Sequence, residues 1–177
     1  HRPLIQMIFQ DPFASLNPRQ TVGRILTAGP MAHGISSAEA KTKAHRLLSR
    51  VGLDPSAFER YPHEFSGGQR QRVGIARALM FDPQLIIADE AVSALDVSVQ
   101  AQILDLLAEI QDEMKLAMIF ITHDLRIASR ICDEVVVMQH GRMVEAGPPA
   151  QVFRAPREDY TRTLVAAIPG GRWENAA

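Results

Sequence analysis

A single cysteine, Cys132, stands in 177 residues, so no disulfide framework can form within the chain, and a lone thiol suits a reducing compartment. Charge of one sign is missing as well. With 19 basic and 20 acidic residues the net charge is −1, which leaves no basic field to hold nucleic acid. No apolar run approaches the roughly 18 residues of a membrane-spanning helix, and the opening residues do not have the layout of a signal peptide, so any membrane role comes through a partner. Lysine is scarce: Lys41, Lys43 and Lys115 are the three, and none follows a glycine. The phosphate-wrapping pattern G-x-x-x-x-G-K-[ST] therefore cannot be written in these residues. Hydrophobic residues make up 46%, enough for the core of one domain, or of a domain with a subdomain.

What is present concentrates between Ser66 and Asp96, in SGGQRQRVGIARALMFDPQLIIADEAVSALD. Gly67 and Gly68 lack a Cβ, so backbone there can approach a bulky anion. The helix expected from Gln69 to Met80 offers unpaired N–H groups and a positive dipole end at its start, for which phosphate is the natural guest. Asp82-Pro83 stops that helix. Leu85 to Ala88 is a short unbroken apolar run, as for a strand buried on both faces of a parallel sheet, and it ends on the acid pair Asp89-Glu90.

Upstream, Leu4 to Phe9 reads as a buried strand ending at Gln10-Asp11-Pro12. A helix is expected from Thr21 to Ala28, before Gly29-Pro30. A second runs from Ser36 to Arg50, with Ser36 and Glu39 at capping-box spacing and Ala40, Ala44, Leu47, Leu48 and Val51 in one apolar stripe. Downstream, Val97 to Met114 has apolar residues at intervals of three and four, and Leu116 to Ile121 forms another apolar run before Thr122-His123-Asp124. Strand, helix and strand of these lengths make a βαβ unit with parallel strands. Asp89, Glu90 and His123 then share the carboxyl edge of the sheet, where open α/β folds bind ligands. A helix near Leu125 to Ile131, a hairpin turning at Gly141 and two short helices near 150–154 and 157–167 complete the pattern, with 169–177 expected to be loose. Taken singly, Gln10 reads as a strand-end glutamine in a turn, His123 as a hydrogen-bonded structural histidine, and Asp96 as a helix N-cap. Arg70, Arg72 and Arg77 read as a solvated or interfacial helix face. The other histidines have no metal-ligand spacing and are assigned to surface or packing.

FSGGQRQRVGIARAL resembles the signature motif of ATP-binding cassette (ABC) ATPases, LIIADE their Walker B motif and SALD their D-loop. Gln10 matches their Q-loop glutamine and His123 the switch histidine of their H-loop. Four specified residues such as SGGQ recur by chance at roughly one position in 10^5 given glycine at about 7%, and three motifs in the right order remove coincidence. FQDPFASLNPRQTVG and EDYTRTLVAAIP are similar to the peptide-importer branch, which includes nickel and glutathione importers. With one cysteine, the chain cannot carry the iron–sulfur cluster of some members' tails. Ala91-Val92 stands where the wider family has Pro-Thr, a change expected to alter the turn little.

The resemblance implies an α/β, P-loop NTPase-like parallel sheet with an inserted helical subdomain, incomplete at the N-terminus where the Walker A segment would lie. It divides the chain into a core strand and Q-loop at 1–10, a helical subdomain with the signature motif at 11–79, a RecA-like core at 80–150 and a C-terminal extension at 151–177. It implies ATP and Mg2+ as ligands. Asp89 and Gln10 would hold the metal, Glu90 would be the catalytic base, and His123 would face the γ-phosphate. Ser66, Gly67, Gly68 and Gln69 would bind a neighbour's nucleotide, with Asp96 at the subunit boundary. The implied partners are a second ABC ATPase subunit arranged head to tail, membrane-spanning permease subunits and, indirectly, a solute-binding protein, on the cytoplasmic face of the cell membrane. The implied function is ATP hydrolysis powering import of peptides or similar solutes, with residues 1–177 alone expected to be inactive. A soluble ABC ATPase not linked to transport and a non-hydrolytic regulatory or binding fragment are the alternatives.

Overall fold

The computed structural model describes residues 4–11 and 15–168; His1, Pro12 and the tail at 169–177 lie outside them. The chain forms two compact units, His1–Ile121 and Thr122–Ala177.

The first unit is built on three parallel strands, β1 (Ile5–Ile8), β2 (Leu85–Asp89) and β3 (Ala117–Ile121), in the order β1-β2-β3. The register pairs Ile8 with Ala88 and Asp89 with Ile121, so the three strands end along one edge. The unit also contains helices α1 (Val22–Ala32), α2 (Ser37–Arg50), α3 (Gly67–Leu79) and α4 (Val97–Met114), with short 3-10 turns at Pro55–Glu59 and Pro62–Glu64. Helix α2 forms as its sequence demands. The Ser36 hydroxyl accepts the Glu39 N–H at 3.2 Å, the Glu39 carboxylate accepts the Ser36 N–H at 3.2 Å, and Ala40, Ala44, Leu47, Leu48 and Val51 are all buried.

Helix α1 differs from expectation by running through Gly29-Pro30 to Ala32. Proline in the last turn removes a single intrahelical bond, and the turn is closed beyond it by the His33 N–H on the carbonyls of Gly29 and Pro30. The His33 ring also stands edge-on to Phe81, 5.3 Å between centroids, which fastens this helix end.

Helix α3 is the shared wall of the unit. Gly68, Gln71, Val73, Gly74, Ile75, Ala76, Ala78 and Leu79 are buried, covering most of its circumference, because it packs against β1 on one side and α1, α2 and α4 on others. The sheet itself is one-sided, contrary to the burial on both faces that its apolar runs predict. Ile8, Ile86 and Ala88 are buried, whereas Ile119 and Ile121 on β3 are 50% and 47% exposed. The helices of this unit cover one set of alternating positions and leave the other reachable by water.

The second unit contains α5 (Leu125–Ile131), the antiparallel pair β4 (Val135–Gln139) and β5 (Arg142–Gly147), α6 (Pro149–Arg154) and α7 (Asp159–Ala166). His140 and Gly141 both have positive φ, 50° and 75°, and join β4 to β5 as a two-residue turn matched to strand twist. Ala128, Val135, Val137, Val152 and Phe153 form its core. The Glu145 carboxylate accepts the N–H groups of Arg157 and Glu158 at 3.0 and 3.3 Å at the start of α7, and the Arg157 bond foremost holds its pKa below the ordinary value.

A glycine within a helix ordinarily invites replacement by alanine, with a gain of up to about 1 kcal/mol. Gly23 in α1 is the opposite case, since a Cβ there would stand 2.3 Å from the Phe58 ring, itself stacked on His45. Gly23→Ala is expected to destabilise the chain by about 1–3 kcal/mol in urea unfolding. A neutral or stabilising result would show that the aromatic pair can move aside.

Candidate functional site

Equal spacing past the strand ends decides what meets at the carboxyl edge. Gln10 and Glu90 each lie two residues beyond the paired Ile8 and Ala88. Accordingly, the Gln10 Nε2 donates to the Glu90 carboxylate at 2.7 Å. The Glu90 N–H donates to the Ile121 carbonyl at 2.9 Å, tying the end of β2 to the end of β3. Glu90 holds a left-handed backbone, φ 44°, rarely adopted by non-glycine residues. Asp89, half-buried, is the last residue of β2. The turn that follows returns Ser93 to the acid. Its N–H and its hydroxyl both donate to the Glu90 carbonyl at 3.0 Å, and its oxygen lies 3.5 Å from the Gln10 amide nitrogen.

Further along the same turn the chain reaches the glycine pair. Gly67 is exposed, with Leu95 Cδ2 3.5 Å from where its Cβ would be, whereas Gly68 is buried and a Cβ there would stand 2.4 Å from Val99. The second glycine thus has a packing reason, close approach of α3 to the start of α4. Ser66 and Gln69, both exposed, cap α3 reciprocally, the Ser66 hydroxyl accepting the Gln69 N–H at 3.3 Å and the Gln69 Oε1 accepting the Ser66 N–H at 3.0 Å. That S-x-x-Q spacing is legible in the sequence as a capping box. Accepting leaves the serine hydroxyl hydrogen able to donate to an anion. Asp96 is an N-cap, as read: its Oδ1 accepts the Val99 N–H at 3.0 Å and the Ser98 hydroxyl at 2.7 Å. The Ser98 bond foremost, then the Val99 N–H, holds the Asp96 carboxyl below its ordinary pKa.

Of the two readings of the α3 arginines, a solvated or an interfacial face, the structure shows the interfacial one. Arg70 Nε donates to the Pro62 carbonyl at 2.8 Å, Arg72 Nη1 to the Val51 carbonyl at 2.6 Å, and Arg77 Nη1 to the Ser15 carbonyl at 2.5 Å. Burial lowers the pKa of Arg77. Each clamps α3 to the backbone of a distant segment, which helical spacing on α3 cannot foretell. Ser93 was also unforeseen as a site residue, although a serine three positions after Glu90 is suited to bonding back to a turn. His123 lies in the second unit, exposed, between Thr122, whose hydroxyl accepts the Asp124 N–H at 3.0 Å, and Asp124, which caps α5. His45 and His63 stack on aromatic rings and His33 meets one edge-on, in keeping with their assignment to surface or packing.

Among the described residues no group of three His, Cys, Asp or Glu side chains is gathered to hold a metal. A cation at this edge would take the Asp89 carboxylate and the Gln10 amide oxygen, with the remaining places filled by water and ligand oxygens. Such a hard-oxygen set fits Mg2+, which keeps several waters. The donor set suits the cation of a phosphate-bearing ligand, and the exposed, capped start of α3 separately suits a phosphate.

A family profile described as ABC transporter matches residues 1–93, more than half of the chain. The chain belongs to the ABC transporter family. It is 54% identical over 166 residues to the glutathione import ATP-binding protein GsiA of Pectobacterium atrosepticum, covering 93% of this chain and 27% of that one. It is 49% identical to the peptidoglycan transport ATP-binding protein YejF of Agrobacterium fabrum, covering 94% and 31%. To the putative peptide import ATP-binding protein BOV_A0347 of Brucella ovis it is 51% identical, covering 95% and 53%. The chain spans between about a quarter and a half of the length of these curated relatives. In fold it is similar to cbiO1 from Clostridium perfringens, part of the ABC transporter complex cbiONQ, with TM-score 0.77 and 31% identity over 94% of this chain and 64% of that one. No helix among the described residues is long and apolar enough to cross a membrane.

The lowered pKa of Asp96 sets a pH dependence. A carboxyl depressed in the folded state contributes stability above its ordinary value near 3.8, and that contribution is lost as pH falls through the folded value. Asp96→Ala is expected to lower the melting temperature at neutral pH, with the gap to the parent closing on acidification below that value. A gap independent of pH would separate the effect from the carboxylate's charge.

Proposed function

We propose that the chain supplies the hydrolytic edge of an ATP-hydrolysing subunit that powers import of peptides or similar small solutes. The observation that carries this reading is the 2.7 Å bond from Gln10 to Glu90, which joins two of the residues required for water activation. In the proposed mechanism the Glu90 carboxylate accepts the proton of the water attacking the γ-phosphate, or polarises that water. Gln10 orients Glu90 through its amide nitrogen and offers its amide oxygen toward the metal. Mg2+, when bound, neutralises charge on the phosphates and is held by Asp89 and Gln10. His123 donates to the γ-phosphate or holds the attacking water, an imidazole being able to do either near neutral pH.

The exposed start of α3 faces a second ATPase subunit in a head-to-tail pair. There Ser66 donates its hydroxyl hydrogen to the neighbour's γ-phosphate, Gly67 and Gly68 add N–H groups at a positive helix end, Gln69 adds its side-chain amide N–H, and Asp96 stands at the subunit boundary. Nucleotide then binds the two subunits together, since a hydrogen bond to a charged group contributes about 1.5–3 kcal/mol. The helices of 11–79 meet membrane-spanning permease subunits at the cytoplasmic face, and a solute-binding protein acts through those permeases. Residues 80–150 carry the Walker B, D-loop and H-loop segments, and 151–177 form the extension of the branch.

Two outcomes test this reading. In the intact protein, Glu90→Gln is expected to lower kcat by roughly 10^2 to 10^4 while Mg-ATP still binds; turnover at the parent rate would overturn the assignment of the base. Residues 1–177 alone, whose lysines offer no phosphate loop, are expected to show no micromolar affinity for Mg-ATP by calorimetric titration.

A further inference from the structure

We infer that Ser93 is a positioning residue for Glu90, acting through the base's own backbone and through Gln10; the inference rests on the reading of Glu90 as the base. Glu90 leaves β2 in a left-handed conformation, so the direction of its side chain depends on what fixes its backbone. On the N–H side that is the Ile121 carbonyl, at 2.9 Å. On the carbonyl side it is Ser93, through two bonds of 3.0 Å, one from its N–H and one from its hydroxyl.

The hydroxyl does a second thing that a backbone group cannot. Having donated its hydrogen to Glu90, its oxygen keeps lone pairs. One of these lies 3.5 Å from the Gln10 amide nitrogen, at the outer limit of a hydrogen bond, and that nitrogen is 2.7 Å from the Glu90 carboxylate. Gln10, Glu90 and Ser93 thus form a closed ring in which the carboxylate is approached from one side by the amide and its backbone is held from the other by the serine. Ser93 is exposed, while Ala91 and Val92 beside it are each only 2% exposed. Burial of those two neighbours anchors the turn, so the serine oxygen is not needed to keep the chain folded. Its use is angular: it limits where the acid and the amide can point.

The test uses the intact protein with Ser93→Ala, Ser93→Thr and Glu90→Gln. Loss of one hydrogen bond from the ring is expected to lower kcat of Ser93→Ala about five- to tenfold with KM for Mg-ATP unchanged, and Ser93→Thr, which retains the hydroxyl, to restore it to within about twofold. In the nucleotide-free protein, amide exchange across residues 90–93 of Ser93→Ala is expected to quicken by a similar factor at an unaltered melting temperature. Parent-like kcat in Ser93→Ala, or a fall in kcat accompanied by a lower melting temperature that threonine does not reverse, would overturn the inference and leave the base in place. Undiminished turnover in Glu90→Gln would instead overturn the function reading beneath it.

Discussion

Parallel register is the constraint on which this structure depends. Because β1, β2 and β3 run the same way and pair without slippage, residues at equal distance past their ends arrive at one edge. Gln10 and Glu90 are separated by 80 positions in sequence and 2.7 Å in space for that reason alone. A slip of one residue would turn every side chain to the opposite face of its strand and take the amide off the acid with it.

The turn from Glu90 to Asp96 then converts a strand end into a site with two contacts. Its first part folds back on the acid through Ser93, and its second presents Leu95, followed by Val99 in the first turn of α4, to the glycines that open α3. Gly68 belongs to this arrangement as much as to any ligand, since a side chain there would push α3 off α4. Helix α3 is in turn held from outside by Arg70, Arg72 and Arg77, whose guanidinium groups reach loop carbonyls. A helix buried on so many sides gives its capped start a fixed position, as a phosphate-binding end requires.

Membership of the ABC transporter family agrees with this geometry, and the likeness to import ATP-binding proteins covers both units. In the proposed reading, the edge bearing Gln10, Asp89 and Glu90 serves one nucleotide and the start of α3 serves a neighbour's. The 90–96 turn lies between them.

Much of this was legible in the residues. Local chemistry determined the capped helix at Ser36, the strand ending on Asp89-Glu90, the N-cap at Asp96 and the hairpin at Gly141, because each depends on neighbours a few positions away. Motif spacing determined the parallel βαβ order and hence that the acid pair stands at a carboxyl edge. Long-range packing decided the rest. It carried α1 through Gly29-Pro30 by setting His33 against Phe81, decided between a solvated and an interfacial face for three arginines by making them clamps, left one sheet face open where apolar runs implied two covered ones, and brought Ser93 onto Glu90. None of these has a signature in periodicity or composition, since each is set by groups from distant segments or by which faces the surrounding helices reach.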